Sequence, residues 1–231
     1  QIDGMAEQVV GDRHLPAAIV QQLMDKSDGV PLYVEEMTKA VLESGVLKES
    51  NGQYERAGSL ALVSIPATLQ DSLMARLDRL VTAKAIAQSA SVIGREFSYV
   101  LLQAVLELDE ATLQRELGRL VESELVYQRG MPPQAVYTFK HALIQDTAYQ
   151  SLLRRTRQQY HQRIATVLES QFADIGQISL ELLAHHYTEA GLKEQAIGYW
   201  QRAGERAIKH SAYVEAIGHL TQGIELLRTV P

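Results

Sequence analysis

The segment Leu125–Lys140, "LVYQRGMPPQAVYTFK", decides the fold class because it interrupts a helical sequence with two short runs of β-forming residues. β-branched and aromatic side chains flank "RGMPPQ", and a glycine followed closely by two prolines is typical of a turn. The segment therefore predicts a β-hairpin in a chain whose other long segments are helical.

Apolar residues recur at helical spacing on both sides of this hairpin. The predicted helices cover residues 82–93, 98–106, 109–123, 141–153 and 155–172. Three helices followed by a hairpin is the element order of a winged helix. We therefore predict a winged-helix-type domain with flanking helices over residues 64–173.

The preceding segment contains "DKSDGVPLYVEEM", Asp25–Met37, in which Pro31 is placed as the first residue of a helix. Proline suits that position because its φ is fixed and a first helical residue needs no N–H donor. Glu35 and Glu36 follow near the positive helix end, and we interpret them as solvated or dipole-facing. Neighbours on a helix diverge by about 100°, so they do not form an acid/base pair.

Short turn and helix-capping patterns predict further elements in the first part of the chain. Asn51-Gly52 in "VLKESNGQYERA" predicts a second small hairpin. Thr68 and Asp71 predict a capping box at a helix start, and an earlier helix is expected to end near Lys26.

The last segment, residues 179–230, is helical and rich in alanine. Its residues Leu183, Ala184, Tyr187, Ala196, Trp200 and Ala203 have the spacing of a tetratricopeptide helix pair. "QAIGYW" at 195–200 recurs as "EAIGHL" at 215–220, only 20 residues later rather than about 34. We predict an irregular α-solenoid over residues 174–231 whose middle helix pairs with both neighbours. The predicted fold class is mainly α with a small sheet.

Composition excludes several classes of function. The 231 residues carry a net charge of −6 and no cysteine, which opposes a polyanion-binding surface and excludes disulfides and thiolate chemistry. No apolar run approaches the roughly 18 residues of a spanning helix. We expect a cytoplasmic protein without membrane contact, and, because its first residue is not methionine, part of a longer chain.

Catalytic motifs are absent from the sequence. It contains no P-loop, no H-E-x-x-H metal motif and no G-x-S-x-G elbow, so we expect no catalytic and no metal site in these residues. His141 begins a predicted helix, where free N–H groups favour an anion; the alternative is a capping or packing histidine. A basic cluster of Arg154, Arg155 and Arg157 fits either phosphate contact or a solvated helix junction.

Several segments together resemble bacterial STAND-class ATPases, which are AAA-type signal-transduction proteins often fused to an adenylate/guanylate cyclase domain. The resemblance lies in "DGVPLYVEEMTKAVLESGVL", "SIPATLQDSLMARLDRL", "SVIGREFSYVLL", "LVESELVYQRG" and "YTFKHALIQDTAYQSLL", in this order. It spans nearly the whole chain and implies that residues 1–63 are the rest of a helical ATPase lid with a hairpin linker.

The resemblance also implies nucleotide contacts. Gly29 and Pro31 correspond to a Gly-x-Pro motif near the bound base, and His141 corresponds to a phosphate sensor on the winged helix. Lys140-His141-Ala142 stands where some relatives have Met-His-Asp. The Walker motifs would lie upstream of Gln1, so ATP or ADP with Mg²⁺ is expected only in the full-length protein.

The function implied is the regulatory portion of an ATP-binding signal protein, which couples nucleotide state and partner binding on the repeats to an effector domain elsewhere. ATPase or cyclase activity is expected of the full-length protein only. One alternative is an interaction scaffold without nucleotide dependence. Another is a DNA-binding winged helix, which residues 109–123 oppose with four acidic residues against two arginines.

Overall fold

The computed structural model describes residues 31–43, 47–50, 53–56, 68–171 and 179–230, together with residue 16. These residues form ten helices and five strands, which confirms the prediction of a mainly α chain with small antiparallel sheets. The chain divides into two compact units, Gln1–Leu80 and Val81–Pro231. None of the described helices combines the length and apolarity that a bilayer crossing requires.

The first unit contains two helices and a hairpin among its described residues. Its elements are α1 (Pro31–Glu43), β1 (Leu47–Ser50), β2 (Gln53–Arg56) and α2 (Leu69–Arg79). The predicted helix start and hairpin are both confirmed, and β1 pairs with β2 antiparallel. The predicted turn at residues 51–52 and the helix predicted to end near Lys26 lie outside the described residues.

The start of α2 has the predicted capping box. The Thr68 hydroxyl accepts from the Asp71 N–H at 3.1 Å, and the Thr68 N–H donates to the Asp71 carboxylate at 3.2 Å. These two bonds satisfy N–H groups that a helix start leaves unpaired. The sequence pattern placed α2 with the winged helix, whereas the structure groups it with the first unit.

An ion pair joins α1 to α2. Glu36 and Arg76 contact each other with exposed fractions of 0% and 3%, so the interpretation of Glu36 as solvated is wrong. A carboxylate is buried here because a guanidinium from the facing helix compensates its charge. Glu35 instead pairs with Lys39 one turn later on the same helix, at 2.8 Å.

The second unit begins with a winged-helix arrangement. Its elements are α3 (Thr82–Ile93), β3 (Glu96–Ser98), α4 (Tyr99–Leu106), α5 (Glu110–Glu122), β4 (Val126–Arg129) and β5 (Val136–Phe139). The sheet order is β3-β5-β4, all antiparallel. Phe97 on β3 stacks on Tyr137 of β5 with ring centroids 5.7 Å apart, which fixes the short third strand that sequence reasoning missed.

Five helices follow the sheet: α6 (Ala142–Gln150), α7 (Arg154–Gln171), α8 (Leu180–Ala190), α9 (Lys193–Lys209) and α10 (Tyr213–Leu227). Helix α7 packs on α3 and α4 of the winged helix and also on α8. Helix α9 packs on both α8 and α10, which confirms the predicted double pairing. One apolar cluster extends from Val92 and Val105 through Ile164 to Tyr187 and Tyr199, so the winged helix and the repeats share a core.

Candidate functional site

His141, the predicted phosphate sensor, is the N-cap residue of α6 and directly follows the winged-helix sheet. Its backbone is extended, with φ −132° and ψ 145°, and its side chain makes no hydrogen bond to the helix start. The Nε2 atom is buried and has no hydrogen-bond partner in the described part of the chain. The ring therefore does not act as a cap.

The other predicted nucleotide contacts lie in the first unit. Pro31 is the first residue of α1, as predicted. Gly29 lies outside the described residues. Pro31 and His141 belong to different units, so the assignment of Gly29, Pro31 and His141 to one nucleotide site stays a prediction.

A chain of hydrogen bonds that sequence reasoning missed crosses from the winged helix to the repeats. The hydroxyl of Tyr149, on α6, lies 3.1 Å from Nε2 of His161, on α7. Nδ1 of His161 lies 2.8 Å from Nδ1 of His186, on α8. We call these three residues the joint relay, since they connect three consecutive helices.

Burial keeps both histidines of the joint relay neutral. His161 and His186 are only 2% and 1% exposed. Burial, reinforced by nearby His185, lowers the pKa of His161 to about 4. Burial and the neighbouring His161 lower the pKa of His186 to about 3. Both rings are therefore uncharged at neutral pH, and a hydrogen bond between two neutral imidazoles holds α7 to α8.

Other aromatic and charged groups surround the joint relay. The His185 ring lies edge-on to His161 at 5.7 Å, and the Arg157 guanidinium lies 5.0 Å from the centre of the Tyr149 ring. Arg157, from the predicted basic cluster, thus packs on α6, whereas Arg154 and Arg155 are exposed. The Arg157 guanidinium disfavours a further positive charge at His161 and so helps to lower its pKa.

A second polar contact joins α7 to the repeats. The Glu169 carboxylate accepts hydrogen bonds from the hydroxyls of Tyr187, at 2.5 Å, and Tyr199. The two rings stack with centroids 5.4 Å apart. These hydrogen bonds lower the pKa of the Glu169 carboxyl. One carboxylate on α7 therefore aligns a tyrosine from α8 with a tyrosine from α9.

The helix expected to enter DNA in a winged helix is α5, and its two arginines are engaged within the protein. Buried Glu116 accepts from the Thr82 hydroxyl at 2.6 Å, Arg115 Nε at 3.0 Å and an Arg119 guanidinium nitrogen at 3.1 Å. The hydrogen bond from Thr82 is the main cause of a lowered pKa at Glu116. Both positive charges of α5 are thus partly neutralised by a carboxylate of the same helix.

The sequence carried only a weak signal for the joint relay. His185 and His186 stand out as a pair, yet consecutive helical residues diverge, and this argued against a shared site. Their partner His161 is 25 residues away from His186, on another helix. Only the packing of α7 on α8 brings the two rings together.

Comparison with known proteins gives a distant relative. No protein-family model matches the chain. An uncharacterized protein of Rhizobium meliloti (strain 1021) is 29% identical over 214 residues, covering 90% of this chain and 20% of the relative. The chain thus spans about one fifth of the length of the curated relative it matches.

Proposed function

We propose that this chain is the regulatory and signal-coupling portion of a STAND-type ATP-binding signal protein. The observation that carries the proposal is the joint relay, in which Tyr149, His161 and His186 link α6, the helix that follows the winged-helix sheet, through α7 to α8 of the helical repeats. A shared core and a buried hydrogen-bonded contact suit two parts that move together. Coupling between ligand binding and domain movement requires that the protein has discrete arrangements of its domains, and that these arrangements differ in their affinity for the ligand.

In this proposal the nucleotide is held mainly by residues beyond these 231. ATP or ADP with Mg²⁺ is bound by an upstream domain of the full-length protein, and Gly29, Pro31 and His141 complete the site. His141 suits this role because its ring is not used as a helix cap and its Nε2 has no partner among the described residues. The effector, proposed as an adenylate or guanylate cyclase domain, also lies elsewhere in that longer protein, which we place in the cytoplasm.

The repeats supply the signal input in this proposal by binding a protein or peptide partner. Nucleic acid is a poor candidate partner for the winged helix, because α5 carries three glutamates against two arginines, and Arg115 and Arg119 both contact Glu116. A groove-binding helix needs an excess of cations for the phosphate backbone. The winged helix acts here as an internal switch element.

Nucleotide binding by the full-length protein tests the proposal. Calorimetry with ADP and with ATP, each with Mg²⁺, is expected to show binding that His141→Ala and Pro31→Ala weaken. His210→Ala, an exposed histidine at the end of α9, is the matched control and is expected to bind as the wild type does. Absence of nucleotide binding by the full-length protein would leave the scaffold alternative as the better proposal.

A further inference from the structure

The last two helices pack in the same way, because each lies against the two helices that precede it. Helix α9 packs on α8, and its Tyr199 hydroxyl donates to Glu169 of α7. Helix α10 packs on α9, and Nε2 of its His219 lies 3.7 Å from a carboxylate oxygen of Glu181 on α8. A further helix that followed this pattern would lie against α10 and α9, in the groove between them.

The turns that lead into these two helices also repeat, 20 residues apart. Gly191 and Ser211 both have a left-handed backbone, with φ of 79° and 59°. In each turn the N–H of the next residue, Leu192 or Ala212, donates to the carbonyl five positions earlier, at 3.0 Å and 2.9 Å. The sequence echo between "QAIGYW" and "EAIGHL" has the same offset. One step of helix, turn and helix therefore occurs twice in succession.

The groove that a third step would fill is lined mainly by apolar side chains, and we call it the α9–α10 groove. Its lining residues are Ile197, Gln201 and Glu205 of α9 and Leu220, Gly223, Ile224 and Leu227 of α10. Gly223 is buried and carries no side chain, so the floor of the groove lies low between the two helices. A helix packed there would remove the apolar lining from water, which stabilises the array.

The outer face of α10 has the composition of an internal helix of an array. Tyr213, Ile217, Ile224 and Leu227 are each more than half exposed. Their separations of 4, 7 and 3 residues place them on one face of the helix. The last helix of a repeat array instead needs a polar outer face, because that face stays in contact with water. Helix α10 is therefore not built as the end of its array.

We propose that the helix following α10 in the longer protein fills the α9–α10 groove. It lies against α10 and α9, as α9 lies against α8 and α7. This chain spans one fifth of the length of its distant relative, which agrees with an array that continues. Because the protein itself covers this groove, the partner-binding surface proposed above lies on another face of the repeats. The inference concerns packing within the repeats and does not depend on nucleotide binding.

Thiol labelling of the full-length protein tests whether the groove is covered. The 231 residues contain no cysteine, so an introduced cysteine reports on one position among them. Ile224→Cys is expected to react with a thiol reagent at least about tenfold more slowly than Leu153→Cys, since a covered side chain reacts only when its packing opens. Leu153 is 77% exposed and lies outside the groove. Mass spectrometry of the peptides that contain positions 153 and 224 measures both rates, and equal rates would overturn the proposal.

Truncation identifies the segment that covers Ile224. A protein that ends about 34 residues after Pro231, one tetratricopeptide unit farther on, is expected to protect Ile224→Cys as the full-length protein does. A protein that ends at Pro231 is expected to lose this protection. Ala216→Cys, at a buried position on α10, is the control and is expected to stay protected in both. Protection of Ile224→Cys that persists in the protein ending at Pro231, or that needs a more distant segment, would overturn the proposal.

Other occupants of the groove give different results. Protection of Ile224→Cys that increases with protein concentration would assign the groove to a second copy of the chain. Protection that appears only after another protein is added would assign it to a partner. Either result would overturn the proposal. Rapid labelling of Ile224→Cys, together with weaker nucleotide binding by His141→Ala, would overturn this inference alone and leave the proposed function in place.

Discussion

The Nδ1 atoms of His161 and His186 face each other at 2.8 Å, so one ring carries a proton on Nδ1 and the other does not. A proton on both Nδ1 atoms would make two N–H groups face each other and would turn one of the buried rings into a cation. The hydrogen bond therefore connects α7 to α8 as long as one of the two Nδ1 atoms is unprotonated, and burial favours the pair in which both rings are neutral.

Acid is expected to destabilise the second unit through this pair. The unfolded pKa is 6.5, and the folded pKa falls to about 4 for His161 and about 3 for His186. The contribution of the two histidines to the free energy of unfolding is fully present above pH 6.5. It declines as the pH falls towards the folded pKa values, because the unfolded chain then binds more protons than the folded chain. Each histidine contributes a slope of up to about 1.4 kcal/mol per pH unit. Urea unfolding at a series of pH values between about 7.5 and 4.5 measures it.

His186→Asn provides the specific comparison for the acid effect. Asparagine places an amide where Nδ1 was and does not titrate, so the loss of stability between about pH 6.5 and 4.5 is expected to become shallower. His210→Asn, at an exposed position, is expected to leave the slope unchanged. An identical slope in wild type and His186→Asn would assign the acid effect to other groups.

Close packing of α9 on α10 gives a second prediction. A Cβ atom at Gly204 would lie 2.6 Å from Cγ of Leu220, so Gly204→Ala is expected to destabilise the chain by about 1–3 kcal/mol. At Gly198, on the same helix, an added methyl group would have no neighbouring atom within 4 Å, so Gly198→Ala is expected to stabilise by up to about 1 kcal/mol. Thermal and urea unfolding measure both changes. Equal effects of the two variants would contradict this account of α9–α10 packing.

Local signals in the sequence predicted most of the fold. Three predictions that depend on residues close together in the sequence are confirmed. They are the Thr68–Asp71 capping box, the helix start at Pro31 and the bounds of α3. β3 was missed because three residues are too few to show the alternation of a strand. Its pairing with β5 spans about forty positions of sequence. Short strands of this kind are defined by their partners.

The candidate site was less predictable for the same reason. His141 could be placed at a helix start, because the hairpin and the following helix are both local patterns. The burial of Glu36 depends on Arg76, 40 residues away, and the contact of His161 with His186 depends on how α7 meets α8. Sequence spacing does not report such contacts.

The Glu169 contact gives a third prediction. Tyr187→Phe removes one hydroxyl that donates to this carboxylate and keeps the stacked ring, so a loss of about 1 kcal/mol in the free energy of unfolding is expected. Tyr213→Phe, at an exposed tyrosine, is the control and is expected to have little effect. With Glu169→Gln already present, Tyr187→Phe is expected to cost less, since the charged acceptor is gone. If Tyr187→Phe lowers the free energy of unfolding by the same amount in the Glu169→Gln variant, the Tyr187 hydroxyl stabilises the protein through a contact other than Glu169.

The Glu116 contact gives a fourth prediction. Glu116→Gln is expected to destabilise the winged helix by about 1–3 kcal/mol, because the buried side chain loses the charge that Thr82 and Arg119 contact. Glu122→Gln, an exposed change on the same helix, serves as the control. Since the folded pKa of Glu116 is lowered, its contribution is present above the usual carboxyl pKa and is lost as the pH falls further. Acid titration of both variants by circular dichroism measures the difference.

The length of helix α7 determines how far apart its two polar contacts with α8 lie. Its 18 residues make a rod of about 27 Å, in which His161 lies near the middle and Glu169 lies about 12 Å farther on, near the end. A tilt of about 10° around His161 displaces Glu169 by roughly 2 Å, by the geometry of a rigid helix. Because a hydrogen bond does not tolerate that displacement, the contacts with His186 and Tyr187 together hold α8 in one orientation on α7.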